Sequence, residues 1–153
     1  MIFILIALGI CGIDLSIKYW IESRRTFSDK TELLKGNVVI EKSHNNGVCL
    51  NFMEKRPNYV LGITGIILGI LICFFAILLP KKRKYFWKLA VSFMAGGASG
   101  NFFDRMHRGY VVDYLNFPKI KKMKQIDFNL SDLFLIAGSA LAFIISLFTK
   151  ESQ

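Results

Sequence analysis

The stretch Gly96-Gly97-Ala98-Ser99-Gly100-Asn101-Phe102-Phe103-Asp104-Arg105-Met106-His107-Arg108-Gly109-Tyr110-Val111-Val112-Asp113-Tyr114-Leu115-Asn116-Phe117 begins inside an apolar run and ends in a polar, aromatic segment. Successive helical residues are rotated by about 100°, so Gly97, Asn101 and Arg105 fall along one stripe. A stripe that passes from a small residue to an amide to a guanidinium is costly against lipid. It is favourable against other helices or a wet cavity near a membrane surface. Asp113 follows where such a helix leaves the bilayer, and a second acid, Asp132, stands at the head of the next apolar run.

Outward from this stretch the chain divides into apolar runs. Residues 60–79 are long enough to cross a bilayer and carry no charge. Residues 2–20, 86–106 and 130–148 read as three further spans, the first retained rather than cleaved because it has neither a basic start nor a small-x-small site. With 153 residues, 53% of them hydrophobic, and a mean hydropathy of +0.42, the chain reads as one polytopic membrane domain over residues 1–153. The net charge of +9 sits mostly between the apolar runs, which favours membrane lipids as partners and argues against nucleic acid. The short basic loop Lys81-Lys82-Arg83-Lys84 is expected to be cytoplasmic, and with it both termini; the lysines of residues 119–124 then lie on the other face.

The loop at residues 24–58 is too long for a simple connection. Val38-Val39-Ile40 and Val48-Cys49-Leu50 are β-like, and Asn46-Gly47 between them is a hairpin signal. A small antiparallel sheet on the membrane is expected here, between helices 1 and 2, with Asn45 either shaping the turn or aiming its amide at a peptide. Residues 107–129 read as a polar, aromatic connection. Asn129 or Ser131 is expected to cap the last helix, with Asp132 in its first turn. Asp14 and Lys18, four apart, share a helix face as an ion pair or as the lining of a polar cavity.

The unusual polar residues thus converge on one membrane face. Two carboxylates close together in a poorly solvated site cannot both ionise easily. The ionised one can activate water while the protonated one protonates a departing amine. Asp113 and Asp132 are therefore candidate catalytic residues, and the chemistry needs no metal or cofactor. The three cysteines and two histidines show no ligand spacing.

These motifs carry a resemblance. Asp14-x-x-x-Lys18, Asn45-x-Gly47, Gly96-Gly97-x-x-Gly100-Asn101-x-x-Asp104-Arg105, Gly109-x-Val111-x-Asp113-Tyr114 and Phe128-Asn129-x-x-Asp132 are similar to those of bacterial lipoprotein signal peptidases (signal peptidase II), in order and over almost the full length. The resemblance implies an all-α membrane protein with four transmembrane helices and an extracytoplasmic β-cradle. It implies a monomeric aspartyl endopeptidase of the bacterial cytoplasmic membrane, active at the extracytoplasmic face and a target of globomycin. Its substrate would be a diacylglyceryl-modified prolipoprotein, cut just before the lipidated cysteine. Asp113 and Asp132 match the catalytic dyad. Asp14, Lys18, Asn45, Gly97, Asn101, Arg105 and Asn129 match supporting or substrate-contacting positions. The chain departs from the family at Val48-Cys49-Leu50, where Ala-Ala and an aromatic are usual, at Leu15 for Gln, and at Ser131 for Ala. Two other readings stay open: a non-catalytic lipopeptide-binding relative, and a small transporter or channel subunit with Asp14, Lys18 and Arg105 along a pathway.

Overall fold

A computed structural model describes residues 1–47, 53–121 and 123–148. Four helices, α1 (Ile2–Arg24), α2 (Pro57–Leu78), α3 (Tyr85–Arg108) and α4 (Leu130–Phe148), follow the apolar runs. α1, α2 and α4 are each long and apolar enough to cross a membrane. α3 is not apolar enough by composition, although its 24 residues are sufficient in length. The reason is its position. α3 packs against each of the other three helices, which screen its Lys88, Ser92, Asn101 and Asp104 from the surroundings.

Glycines allow this close packing. A Cβ at Gly96 would lie 2.7 Å from the Ala7 carbonyl oxygen of α1, and one at Gly100 would lie 2.7 Å from Asp14 Oδ2. One at Gly138 of α4 would lie 2.6 Å from the Ala90 carbonyl oxygen of α3. The bundle is inside-out by the standards of a water-soluble protein. Ile63, Ile66, Ile67 and Ile70 of α2 and Phe143, Ile144 and Leu147 of α4 are exposed.

The sheet differs from the expectation. Its strands are β1 (Lys30–Leu33), β2 (Val38–Asn45), β3 (Val111–Asn116) and β4 (Asp127–Phe128), antiparallel in the order β1-β2-β3-β4. It is therefore not simply inserted between helices 1 and 2. Half its strands come from the connection between α3 and α4. A hairpin not expected from the sequence joins β1 to β2 and turns at Leu34, Lys35 and Gly36, all with positive φ. The strand expected at Val48-Cys49-Leu50, and with it the second arm of the hairpin expected at Asn46-Gly47, falls on residues outside those described. α1 runs to Arg24, past the expected end near residue 20.

Residues 107–129 thus contain two strands where a polar connection was expected. Val111-Val112-Asp113-Tyr114-Leu115 has the β-branched and aromatic content of a strand, and its alternation orients the site. Val112 and Tyr114 pack on Ile21 and Ile17 of α1, which directs Asp113 to the opposite face of the strand. Because both long connections pair in one sheet, the end of α1, the start of α2, the end of α3 and the start of α4 meet at one end of the bundle.

Candidate active site

The first turn of α4 is held from three directions. Leu130 N donates to Tyr114 Oη at 3.0 Å, Ser131 N to Asp14 Oδ1 at 3.1 Å and Asp132 N to Asn129 Oδ1 at 2.9 Å. Leu133 N donates to the Asn129 carbonyl at 3.3 Å, so each amide that lacks a partner within the helix has one outside its ladder. Asn129 is the cap, and Asp132 Oδ2 accepts from Asn129 N at 3.1 Å in return. This reciprocal pair is a capping box with aspartate in place of the usual Glu or Gln. Ser131, the other candidate cap, instead donates its hydroxyl to Asp14 Oδ2 at 2.7 Å.

Asn129 also bridges the two acids. Its Nδ2 donates to Asp113 Oδ1 at 2.6 Å while its backbone holds Asp132. The second oxygen of Asp113 accepts from Asn45 Nδ2 at 3.2 Å. That of Asp132 accepts from Asn101 Nδ2 at 2.8 Å. Three asparagines therefore hold four carboxylate oxygens. Asp113 is 2% exposed, so burial first, and then the charge of Asp132, push its carboxyl up to about 7 despite the hydrogen bonds from Asn45 and Asn129.

Behind Asn101 lies Lys18. Its Nζ donates to Asn101 Oδ1 at 2.7 Å and pairs with Asp14 Oδ2 at 2.7 Å and Asp104 Oδ2 at 3.3 Å. A cation on one side and a carboxylate on the other leave the Asn101 amide one orientation that satisfies both. Lys18 is fully buried and reaches inward, not out to headgroups. Asp104 also accepts from Val112 N at 3.2 Å and pairs with Arg108 at 3.0 Å, tying the start of β3 to α3.

Asp113 and Asp132 line a cavity of about 310 Å3, with Asn45, Asn101 and Arg105 as polar neighbours. Its apolar wall includes Ile67 of α2 and Ile136 of α4, which are 56% and 54% exposed, so the cavity opens sideways through the surface that faces lipid.

Residues 6–148 match the family model for signal peptidase (SPase) II. The chain belongs to the signal peptidase II family. It is thus a membrane-embedded peptidase. The lipoprotein signal peptidase of Enterococcus faecalis is 26% identical, covering 99% of this chain and 91% of that protein. That of Staphylococcus carnosus is 29% identical, covering 97% and 91%. A bacterial membrane enzyme solved at 2.3 Å by the in meso method is similar in structure, with 31% identity and a TM-score of 0.82, covering 99% of this chain and 93% of that one.

Within this peptidase, all nine residues singled out from the sequence meet at one end of the bundle, by different means. Of the two uses suggested for Asn45 the structure shows the first: its Oδ1 accepts from Gly47 N at 3.1 Å, shaping the turn, while its Nδ2 donates to Asp113. Arg105 donates to the Gly47 carbonyl at 2.8 Å and borders the cavity. Gly97 serves packing: a Cβ there would overlap the Ser131 carbonyl oxygen. Gly97→Ala is accordingly expected to cost about 1–3 kcal/mol and to lower cleavage by displacing the turn that carries Asp132. A thermal melt and a cleavage assay check both effects, and unchanged values in both would refute this role. Asp104, Ser131 and Tyr114 belong to the same network but were not among the candidate site residues. Asp104 was legible as the i+3 neighbour of Asn101 on α3. Asp127, which also lines the cavity, had no distinguishing signal in the sequence.

Proposed function

We propose that this chain is an aspartyl endopeptidase that removes signal peptides from diacylglyceryl-modified prolipoproteins, cutting just before the lipidated cysteine. The observation that carries the reading is Asn129 holding Asp113 and Asp132 on one wall of a cavity open to lipid. In the reaction, one proton resides on the pair. The ionised carboxylate takes a proton from water as that water attacks the scissile carbonyl. The protonated carboxyl then gives its proton to the departing amine. Arg105, beside both acids, offsets the remaining negative charge. The lateral opening suits a substrate whose acyl chains stay in the bilayer while its peptide bond enters the cavity. Membership of the signal peptidase II family supports the substrate class.

The proposal extends to placement. The chain forms one membrane domain over residues 1–153, all four helices crossing a bacterial cytoplasmic membrane. The sheet and site lie on the extracytoplasmic face, with termini and the Lys81–Lys84 loop cytoplasmic. The meeting of both long connections in one sheet supports this alternation, as does the basic loop at the opposite end.

Two results follow from the raised Asp113 carboxyl. Cleavage of a diacylated prolipopeptide should decline as pH rises through about 7, when the shared proton is lost. Stability should move the same way. The folded-state value lies above the ordinary 3.8, so between about 4 and 7 the folded chain binds more protons than the unfolded one, and rising pH destabilises it. The loss is on the order of 4 kcal/mol. Melting curves of the parent and Asp113→Asn from pH 4 to 8 test this: the parent midpoint should fall more steeply. Parallel slopes would show that Asp113 titrates normally.

A further inference from the structure

One feature outside this site is a second, open cavity at the surface, of about 560 Å3, where α1 meets β1. It shares no lining residue with the cavity at Asp113 and Asp132. Arg24, Arg25 and Lys30 bring three cations to it, against the single carboxylate of Asp29. Arg25 is held in place: Nη1 donates to the Ile40 carbonyl at 3.0 Å, Nη2 donates to Thr31 Oγ1 at 2.8 Å, and the guanidinium lies 5.6 Å over the Trp20 ring. A guanidinium has five N–H donors, so three remain for a ligand. Arg24, the last residue of α1, is exposed, and its side chain makes no hydrogen bond or ion pair among the described residues. Lys30 pairs with Glu41 at 2.5 Å but its side chain stays 64% exposed. Asp29 opposes an anion, yet its Oδ2 is engaged by Thr26 N at 2.8 Å.

The level of the cavity in the fold identifies the ligand. It follows directly on the apolar length of α1, and Trp20 at its rim and Tyr19 are exposed, as aromatic side chains are at the headgroup layer. Below it, Ile13 on the same helix is also exposed. A phosphate in this cavity could therefore be continuous with acyl chains lying along α1. We infer that the cavity holds the phosphodiester headgroup of an anionic phospholipid of the outer leaflet; this rests on the membrane placement proposed above. Fixed guanidinium donors suit a phosphodiester, the excess of cations at Arg24, Arg25 and Lys30 disfavours the quaternary ammonium of a zwitterionic headgroup, and the apolar surface beneath favours a lipid over free phosphate.

The test uses the full chain in neutral detergent with three additives: dihexanoyl phosphatidylglycerol, dihexanoyl phosphatidylcholine and inorganic phosphate. The phosphatidylglycerol is expected to raise the melting midpoint by roughly 3–6 °C at ten times its Kd, and the other two to leave it unchanged. Arg24→Gln/Lys30→Gln should remove the shift, whereas Lys81→Gln/Lys82→Gln, at the far end of the bundle, should retain it. Ser28→Glu, which puts a negative charge into the cavity, serves as a second variant should the first fail to fold. The inference is overturned if the parent shows no shift, if inorganic phosphate reproduces it, if the Arg24/Lys30 variant (or Ser28→Glu) keeps it, or if the Lys81/Lys82 variant loses it equally. Cleavage of a diacylated prolipopeptide is followed in parallel. Active enzyme without a lipid-specific shift sinks only the headgroup site, and an intact shift on a chain that does not cleave sinks only the peptidase reading.

Discussion

Asp113→Asn and Asp132→Asn are each expected to lower turnover of a diacylated prolipopeptide by at least about 10³-fold. The basis is that neither amide can take a proton from water or hold the proton owed to the departing amine. Because Asn is nearly the same size as Asp, the cavity keeps its shape. Substrate affinity should therefore change far less than turnover, and a gel-shift assay under single-turnover conditions separates the two. The two variants also differ in a checkable way. Asp132 takes part in the α4 capping box through Asn129 N, so Asp132→Asn should lose some stability even where Asp113→Asn does not. Processing by either variant at a tenth of the parent rate or better would refute the dyad. So would equal loss of binding and turnover, which would make these residues contacts for the peptide.

Lys18→Met is expected to have the largest effect on stability, about 3–5 kcal/mol. That corresponds to a fall in melting midpoint of roughly 10 °C or more. The buried ammonium faces two carboxylates, Asp14 and Asp104, and one amide oxygen, on Asn101. Without it, two acids remain inside the bundle, and the ion pair left to them among the described residues is that of Arg108 with Asp104. Adding Asp14→Asn to Lys18→Met should recover part of the loss, since one uncompensated charge goes with it. An independent sign is expected in activity. With no cation on Oδ1, the Asn101 amide is free to turn, and Asp132 loses a fixed donor. A Lys18→Met protein that melts within about 1 °C of the parent would show that the network is solvated and contributes little.

Both effects depend on long-range contacts, and this marks the boundary of what was legible beforehand. Asn129-x-x-Asp132 could be read as a helix start because a cap is local: the amides it satisfies belong to its own first turn. Asp14 and Lys18 could be placed on one face because helical rotation brings residues four apart together. What they would face could not be read. Snorkelling and inward pairing have the same local pattern, and the choice was made by Asn101, which lies 83 residues from Lys18 in the chain. The turn residues Asn46-Gly47 suggested a hairpin on local grounds alone. The pairing of β2 with β3, across the whole of α2 and α3, was decided by the packing of Val112 and Tyr114 on α1.

By itself, then, the amino-acid order determined the four helices, the cap on α4, the small residues where helices approach, and the family to which these motifs point. Each is set by a period, a spacing or a side-chain type that acts within a few residues. Only the tertiary structure decided that half the sheet comes from the second connection, that Asn45 reaches Asp113, and that one asparagine joins the two acids. Those outcomes depend on which faces of distant elements are buried together. Burial also determines whether Asp113 keeps its proton, since desolvation arises from all the groups that enclose the carboxyl.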